Sequence, residues 1–445
     1  MNQASSSFLA FEPAPAPAAA RAYRVLDAAG VVDVLARLPE IRARLGGAPP
    51  AWRVRDVADG NLNSVFLVDG PDGGVCVKQA LPYVRVAKDT WPLDVNRARF
   101  EAAYSARLAP FVGRLAPTIH HFDPDLLLIV MEKLEPHIIL RKGLIEGRRF
   151  PRLAADIAEY VAQASVHTSD IVAPFEARAA DLALFSRNLA LQRISVDLIF
   201  LDPYTVSDRN KIAPALEPWA ATLRGDVEIK SAAARLRLAY LTKAQSLLHG
   251  DLHSGSIMMT PEETRVIDGE FAWVGPSGFD VGDFLAHLVM AWFAKPFHGA
   301  SEAEIVASRA AIEQDIVNFW RTFRRRFLEL AERAAPAGDG LPQSHFGDPA
   351  GARRRSDMLA AYLDDVCRDA IGFLAMKVIR RVVGFAQIED FLVIADANAR
   401  ALAQARALSL ARSLLLEPDR YRDSADLVAA LAKFDRAGLD PDAAS

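Results

Sequence analysis

Cysteine is almost missing from this 445-residue sequence: Cys76 and Cys367 are the two, each inside an apolar run. Two thiols cannot build a disulfide framework, and both read as reduced core residues of a cytosolic protein. An excess of charge of one sign is lacking as well. A formal net charge of −4 gives no electrostatic reason to expect a nucleic-acid partner. Long hydrophobic runs are missing too. The longest, "FLAHLVMAWFA" at 284–294, contains His287 and is too short to cross a bilayer, so no membrane partner is expected. The first residues, "MNQASSSFLAFEPAPAPAAA", lack a basic start followed by an apolar block; no signal peptide is expected, and the protein is placed in the cytoplasm. What is present is ordinary for a soluble globular chain, with 51% hydrophobic and 24% charged residues. The length asks for two lobes with ample core.

Residues 1–20, rich in Ala, Pro and Ser, are expected to be disordered. From Tyr23 to Leu45 the apolar positions Val31, Val32, Val34, Leu35, Leu38 and Ile41 recur at helical spacing. Strand-like pieces follow at 52–58, 64–70 and 74–80, joined by the turn signals "DGNLN" and "GPDGG", which predicts an antiparallel meander. A helix is predicted over 94–109 and a buried strand over 126–134. Beyond residue 137 the pattern is mainly helical, apart from 249–271, and 335–352 reads as a Pro/Gly-rich loop between helices. The fold class is therefore α+β. A sheet-rich lobe (21–131), a hinge (132–136) and a large, mainly helical lobe (137–445) follow the order of a bilobal protein-kinase-like fold. Periodicity alone does not single that fold out; the chemical motifs do.

The strongest is "LLHGDLHSGSIMM". One apolar run delivers Asp251 into a loop, a second leaves it, and Asp268 follows at the end of "TRVID". Two short strands joined by the polar turn "TPEE" would bring both acids to one end of a hairpin. That arrangement suits phosphoryl transfer, where one carboxylate positions the accepting hydroxyl and another holds magnesium against nucleotide phosphates. Lys78, on "VCVKQA" with Val75 and Val77 facing the other way, is either a solvated edge lysine or a buried one that needs an anion; Glu101 in the next helix is a suitable acid. "ADGNLNSVF" is a plain hairpin turn when read alone, or a turn whose backbone N–H groups approach a phosphate.

Kinases commonly carry an Asn five residues after the catalytic Asp as a metal ligand; here that place is Ser256, whose shorter side chain reaches less far. Glu270 stands two residues after Asp268, and in extended chain such residues share a face. The pair is expected to clamp Mg²⁺ from one side, since this ion takes hard oxygen ligands and keeps some waters. His249 and His253 are read as structural, and Asp280 as a brace for the loop. Trp273 and Trp292 are core candidates, either of which would also suit a sugar pocket. In "FLAMKVIRRVVGFA" the adjacent Arg380 and Arg381 point about 100° apart, so at least one must be nearly buried. It serves either an internal salt bridge or a fork for sugar hydroxyls and phosphate charge.

At these residues the sequence resembles the 5-methylthioribose kinases, within the aminoglycoside phosphotransferase superfamily. "DGNLNSVF", "VKQALPYVR", "LEPHIILRKGL", "HGDLHSGSI", "GFDVGD" and "IRRVVG" occur in that family's order, from about Tyr23 to the C-terminal helices. The resemblance implies a homodimer using ATP and Mg²⁺ to phosphorylate the 1-hydroxyl of S-methyl-5-thioribose. Carried over by position, Asn61, Asn63 and Lys78 (with Glu101) would serve the nucleotide, and Glu132, Lys133 and Leu134 would hold the adenine edge. Asp251 would engage the sugar hydroxyl. Asp268, Gly269 and Glu270 would face metal and phosphates, and Arg380 or Arg381 the substrate. Another 5-deoxypentose or small-alcohol kinase, or a nucleotide-binding pseudokinase, are the alternatives. Two departures stand out: Gly269 where the family usually has Pro, and "LEPHIIL" one residue shorter than the common form.

Overall fold

The computed structural model describes residues 23–57, 62–84, 88–333 and 338–441. Asn61 and the Ala/Pro-rich segment 1–20 lie outside them. The three predicted strands form as Arg53–Val57, Asn63–Asp69 and Gly74–Ala80. With Leu128–Glu132 and Ile119–Asp123 they make a five-stranded antiparallel sheet, in the order 53–57, 63–69, 74–80, 128–132, 119–123. Register pairs Lys78 with Val65 on one side and Ile129 on the other.

Alternation decides what each face does. Phe66, Val68, Val75, Val77, Leu128 and Val130 point to one side and pack with Val31, Val34, Leu35, Ile41 and Leu45. The last five come from two short helices, Ala28–Leu35 and Pro39–Leu45, where periodicity predicts one continuous stretch. The break has a local cause: Pro39 cannot continue a helix but is well suited to start one. Lys78 points to the other face of the sheet, over which helix Arg97–Val112 lies. That helix begins three residues later than predicted because the Asp94 side chain accepts from Asn96 N at 2.9 Å, forming a turn.

The rest of the chain is mainly helical and holds the larger core. Every residue of helix Gly278–Ala294 is buried, which accounts for an apolar run with no polar face: it is a core helix. Helix Pro349–Val383 lies against it, and a Cβ on Gly282 would come within 2.5 Å of the Ala370 carbonyl, so close approach requires glycine there. Trp292 belongs to this core, donating its indole N–H to Glu313 at 2.9 Å, and Trp273 stacks on Tyr240. Both cysteines are free. Among the described residues no helix is long and apolar enough to cross a membrane.

Candidate active site

The hairpin expected around the acids is present: Ile257–Met259 pairs antiparallel with Thr264–Val266, and Ile257 sits opposite Val266. Asp251 precedes it and Asp268 follows it. The loop between 249 and 256 is held from below by Asp280, whose carboxylate accepts from His249 N at 2.7 Å and Gly250 N at 2.9 Å. Gly250 is glycine for two reasons. Its φ is +82°, and a Cβ there would lie 2.3 Å from the Phe271 carbonyl. His249 donates through Nε2 to the Ile267 carbonyl at 2.8 Å, tying the loop to the strand that leads to Asp268. Ser256 spends its hydroxyl inside the same loop, donating to the Asp251 carbonyl at 3.0 Å.

Asp251 is gripped on both oxygens. Lys377 Nζ lies 3.2 Å from Oδ1 and His253 Nε2 lies 3.3 Å from Oδ2, with Arg381 at 3.9 Å from Oδ1. Gly255 N donates to His253 Nδ1 at 2.9 Å, which leaves the Nε2 proton for Asp251. Burial pushes the Asp251 carboxyl up, but His253, Lys377 and Arg381 outweigh it and hold the group well below the ordinary carboxylate range. It is an anion at neutral pH.

Lys78 is buried between two acids, 2.8 Å from Glu101 and 2.6 Å from Asp268. Burial acts to lower its pKa; the charges of Asp268 and Glu101 reverse that and keep it protonated. Asp268 has a left-handed backbone (φ +65°), which aspartate tolerates better than most residues. Its side chain remains 42% exposed, with one oxygen on Lys78.

The segment after it corrects an expectation. Asp268 and Glu270 are not neighbours on an extended strand: residues 269–271 form a 3-10 turn behind the left-handed Asp268. Glu270 turns into the protein, where its carboxylate is 3.0 Å from Arg97 Nε and accepts from Asn63 Nδ2 at 3.1 and 3.2 Å. Asn188 braces the turn, donating to the Glu270 and Ala272 carbonyls at 2.8 and 3.1 Å. The i, i+2 rule fails because it presumes strand backbone, and "IDGEF" leaves the strand at Ile267. Gly269 packs flat on Tyr104, where a Cβ would stand 2.5 Å from the ring.

The hinge candidates lie at the end of strand Leu128–Glu132. Glu132 N donates to the Thr118 carbonyl at 2.8 Å, and Lys133 is paired with Asp69 and Glu135; Leu134 is half-buried. The adjacent arginines separate as the 100° argument requires. Arg381 is nearly buried, donating to the Ala386 carbonyl at 3.1 Å. Arg380 keeps Nε and Nη1 buried without any protein acceptor. Burial and the neighbouring Arg381 charge push it down to about 9, still cationic at neutral pH. Arg141, unremarked in the sequence, faces Asp251 and Arg381 and is also lowered, by burial first.

Four further residues escaped sequence reasoning: Arg97, Asn188, Asp283 and Lys377. Signals existed for two. Arg97 stands one helical turn before Glu101, on the same face, and Lys377 stands one turn before Arg381. Asp283 closes the quoted block "GFDVGD", but nothing there marks it as the partner of Lys377, and nothing in the sequence marks Asn188.

Comparison with known proteins places these residues in context. The model of a phosphotransferase enzyme family (APH) matches residues 53–314, more than half the chain. Methylthioribose kinase 1 of Oryza sativa subsp. japonica is 36% identical over 420 residues, covering 93% of this chain and 96% of that protein. The methylthioribose kinase of Escherichia coli O45:K1 is 38% identical over 358 residues, 80% of this chain and 85% of its own. That of Pectobacterium atrosepticum is 40% identical over 386 residues, 86% and 92%. Among solved structures, a choline kinase from Cryptosporidium parvum Iowa II is 13% identical, with a TM-score of 0.41 over 89% of this chain and 99% of that one. With an APH-type match through the catalytic loop and relatives of this identity along most of its length, the chain belongs to the methylthioribose kinase family.

Proposed function

We propose that this protein transfers the γ-phosphoryl group of ATP to the 1-hydroxyl of S-methyl-5-thioribose, giving S-methyl-5-thioribose 1-phosphate and ADP. The observation that carries the reading is the seat of Asp251, whose carboxylate is held in its loop by Lys377 at 3.2 Å, His253 at 3.3 Å and Arg381 at 3.9 Å. The sugar oxygen forms a bond to the γ-phosphorus as the bond from that phosphorus to the β-bridging oxygen breaks. ADP leaves with the electron pair, and the hydroxyl proton passes to the Asp251 carboxylate. An anomeric hydroxyl is more acidic than an ordinary alcohol, so a carboxylate of low basicity suffices, and positioning does most of the work.

The site residues divide the task. Lys78, kept charged by Glu101 and Asp268, faces the α/β-phosphates, and residues 132–136 form the hinge that meets the adenine edge and divides the lobes. Asn61 and Asn63 belong to the nucleotide side; Asn63 also ties that side to Glu270. The donor set suits Mg²⁺. Asp268 offers a partly exposed carboxylate; Glu270, whose oxygens are held by Arg97 and Asn63, would have to turn one of them back to join it. Two carboxylates with phosphate oxygens and water meet the needs of this ion, which when bound neutralises charge on the phosphates. The unpaired Arg380 nitrogens suit sugar hydroxyls or the transferred phosphoryl group. Arginines around Asp251 disfavour cationic acceptors such as choline. The working form is placed in the cytoplasm as a homodimer.

Side-by-side turnover of methylthioribose, 5-deoxyribose, ribose and choline tests the reading. Methylthioribose should have the highest kcat/KM, and choline none that is measurable. Preference for another sugar, or ATP·Mg binding without turnover of any, would overturn it.

A further inference from the structure

A lysine in the middle of a core helix needs a reason. Lys377 is 1% exposed, flanked by Met376 and Val378 at 0%, and it meets Asp283, itself 0% exposed, at 2.6 Å. Burying both charges costs several kcal/mol even when they pair, and an apolar pair would fill the same space. Asp283 already neutralises the ammonium, so nothing in charge balance calls for the second contact, to Asp251 Oδ1 at 3.2 Å.

We propose that Lys377 is a positioning residue for the phosphoryl transfer, seated by Asp283 so that its ammonium fixes the Oδ1 side of Asp251 opposite the His253 grip on Oδ2. The inference rests on Asp251 accepting the sugar hydroxyl. Each carboxylate oxygen has two acceptor directions. With one on each oxygen taken, the carboxylate plane is set and the remaining directions are presented to the hydroxyl. The ammonium is itself held in place: Phe279 lies under it, with the ring centroid at 4.7 Å. Helices 278–294 and 349–383 touch closely at Gly282, so Asp283 and Lys377 sit on rigid, mutually packed elements, as a site requiring fixed geometry demands.

The charged and titratable groups around Asp251 come from five elements, one of them helix Val227–Thr242, which supplies Tyr240. His253 lies on its own loop. Lys377, Arg380 and Arg381 come from Pro349–Val383, Asp283 and His287 from Gly278–Ala294, and Arg141 from Leu140–Ile145. Lys377 is the cation in hydrogen-bond contact with Oδ1. Removing it must raise the carboxyl's pKa. Removing Asp283 must not, because the lysine then has Asp251 as its nearest anion.

The full-length protein, with ATP, magnesium and methylthioribose, supplies the test. Lys377→Met should lower kcat by about 100-fold, a typical effect of a lost preorganised group, with KM for ATP within about twofold of wild type. It should also move the acidic limb of kcat/KM up by about one pH unit, the energetic equivalent of one weak charge contact. Lys377→Arg should recover at least about tenfold of the loss. Asp283→Asn, similar in shape, should move the acidic limb down, because Asp251 is then the anion left in contact with the ammonium. A merely structural lysine would lower stability and yield with both limbs unmoved. Should Lys377→Met not fold, Lys377→Arg and Asp283→Asn still decide by the limb. Wild-type turnover with an unshifted limb in Lys377→Met, or an upward shift in Asp283→Asn, overturns this proposal while the assigned reaction stands. No wild-type turnover of methylthioribose overturns the reaction itself.

Discussion

The Arg97–Glu270 pair gives a prediction that can be worked through in numbers. Both side chains are buried, 1% and 7% exposed, at 3.0 Å. Glu270 has Asn63 as its other side-chain partner, and Arg97 has backbone carbonyls of Leu62, Leu81 and Asp94. Removing one charge leaves the other buried without a counter-ion, which costs about 3–5 kcal/mol. Arg97→Met and Glu270→Gln should each show that loss in chemical denaturation of the nucleotide-free protein. At about 2.1 cal/mol/K per residue, a chain of 445 residues has an unfolding entropy near 0.9 kcal/mol/K, so each variant should melt about 3–5 °C lower. The double variant buries neither charge. It should lose at least about 2 kcal/mol less than the two singles together. Strict additivity, or singles within about 0.5 kcal/mol of wild type, would mean that the pair does not hold the turn after Asp268 to the helix.

Asp251→Asn should cut turnover by about 1,000-fold while the Kd for ATP·Mg stays within a few-fold, measured by calorimetry; full turnover would remove Asp251 from its role. The same variant carries a pH prediction. A carboxyl held below its unfolded value near 3.9 contributes stability that is fully present at neutral pH and disappears as pH falls through the depressed folded value. Asp251→Asn should therefore flatten the loss of stability below about pH 4, and an unchanged acid curve would contradict the grip described for its two oxygens. Arg380→Ala should raise KM for the sugar by about 10- to 100-fold, the worth of a charged hydrogen bond, and leave KM for ATP unchanged; an effect on ATP alone would move Arg380 out of the sugar site. Gly269→Ala should cost about 1–3 kcal/mol through overpacking, because Tyr104 cannot yield: its hydroxyl is bonded to Tyr160 at 2.9 Å and its ring abuts His249. An unaltered melting temperature would show that the turn has room after all.

The strands and the catalytic loop were legible because their signals are local. Alternation around Lys78, turn residues on either side, and an apolar–HGD–apolar run each specify backbone and facing at once. The Lys78–Glu101 pair followed from one inward lysine and one acid on the next helix. The geometry of Glu270 was not legible, since a single left-handed residue at Asp268 rotates everything after it and aspartate there gives no warning that glycine would have given. The roles of Arg97, Asn188 and Asp283 depend on partners between 82 and 173 residues away in sequence. Lys377 was hidden by the two arginines beside it: a helix-face count that begins at Arg380 and Arg381 and looks back one turn would have found it. The helix break before Pro39 was readable from proline chemistry, and was masked by an apolar period that continues on both sides.

The most direct test of the central claim is where the phosphate goes. Phosphorus NMR of the products formed from ATP, magnesium and methylthioribose should show ADP and one sugar monophosphate whose phosphorus couples to the anomeric proton, with that signal lost in Asp251→Asn. A phosphate on another carbon, inorganic phosphate in its place, or an anomeric signal that survives in Asp251→Asn would contradict the account.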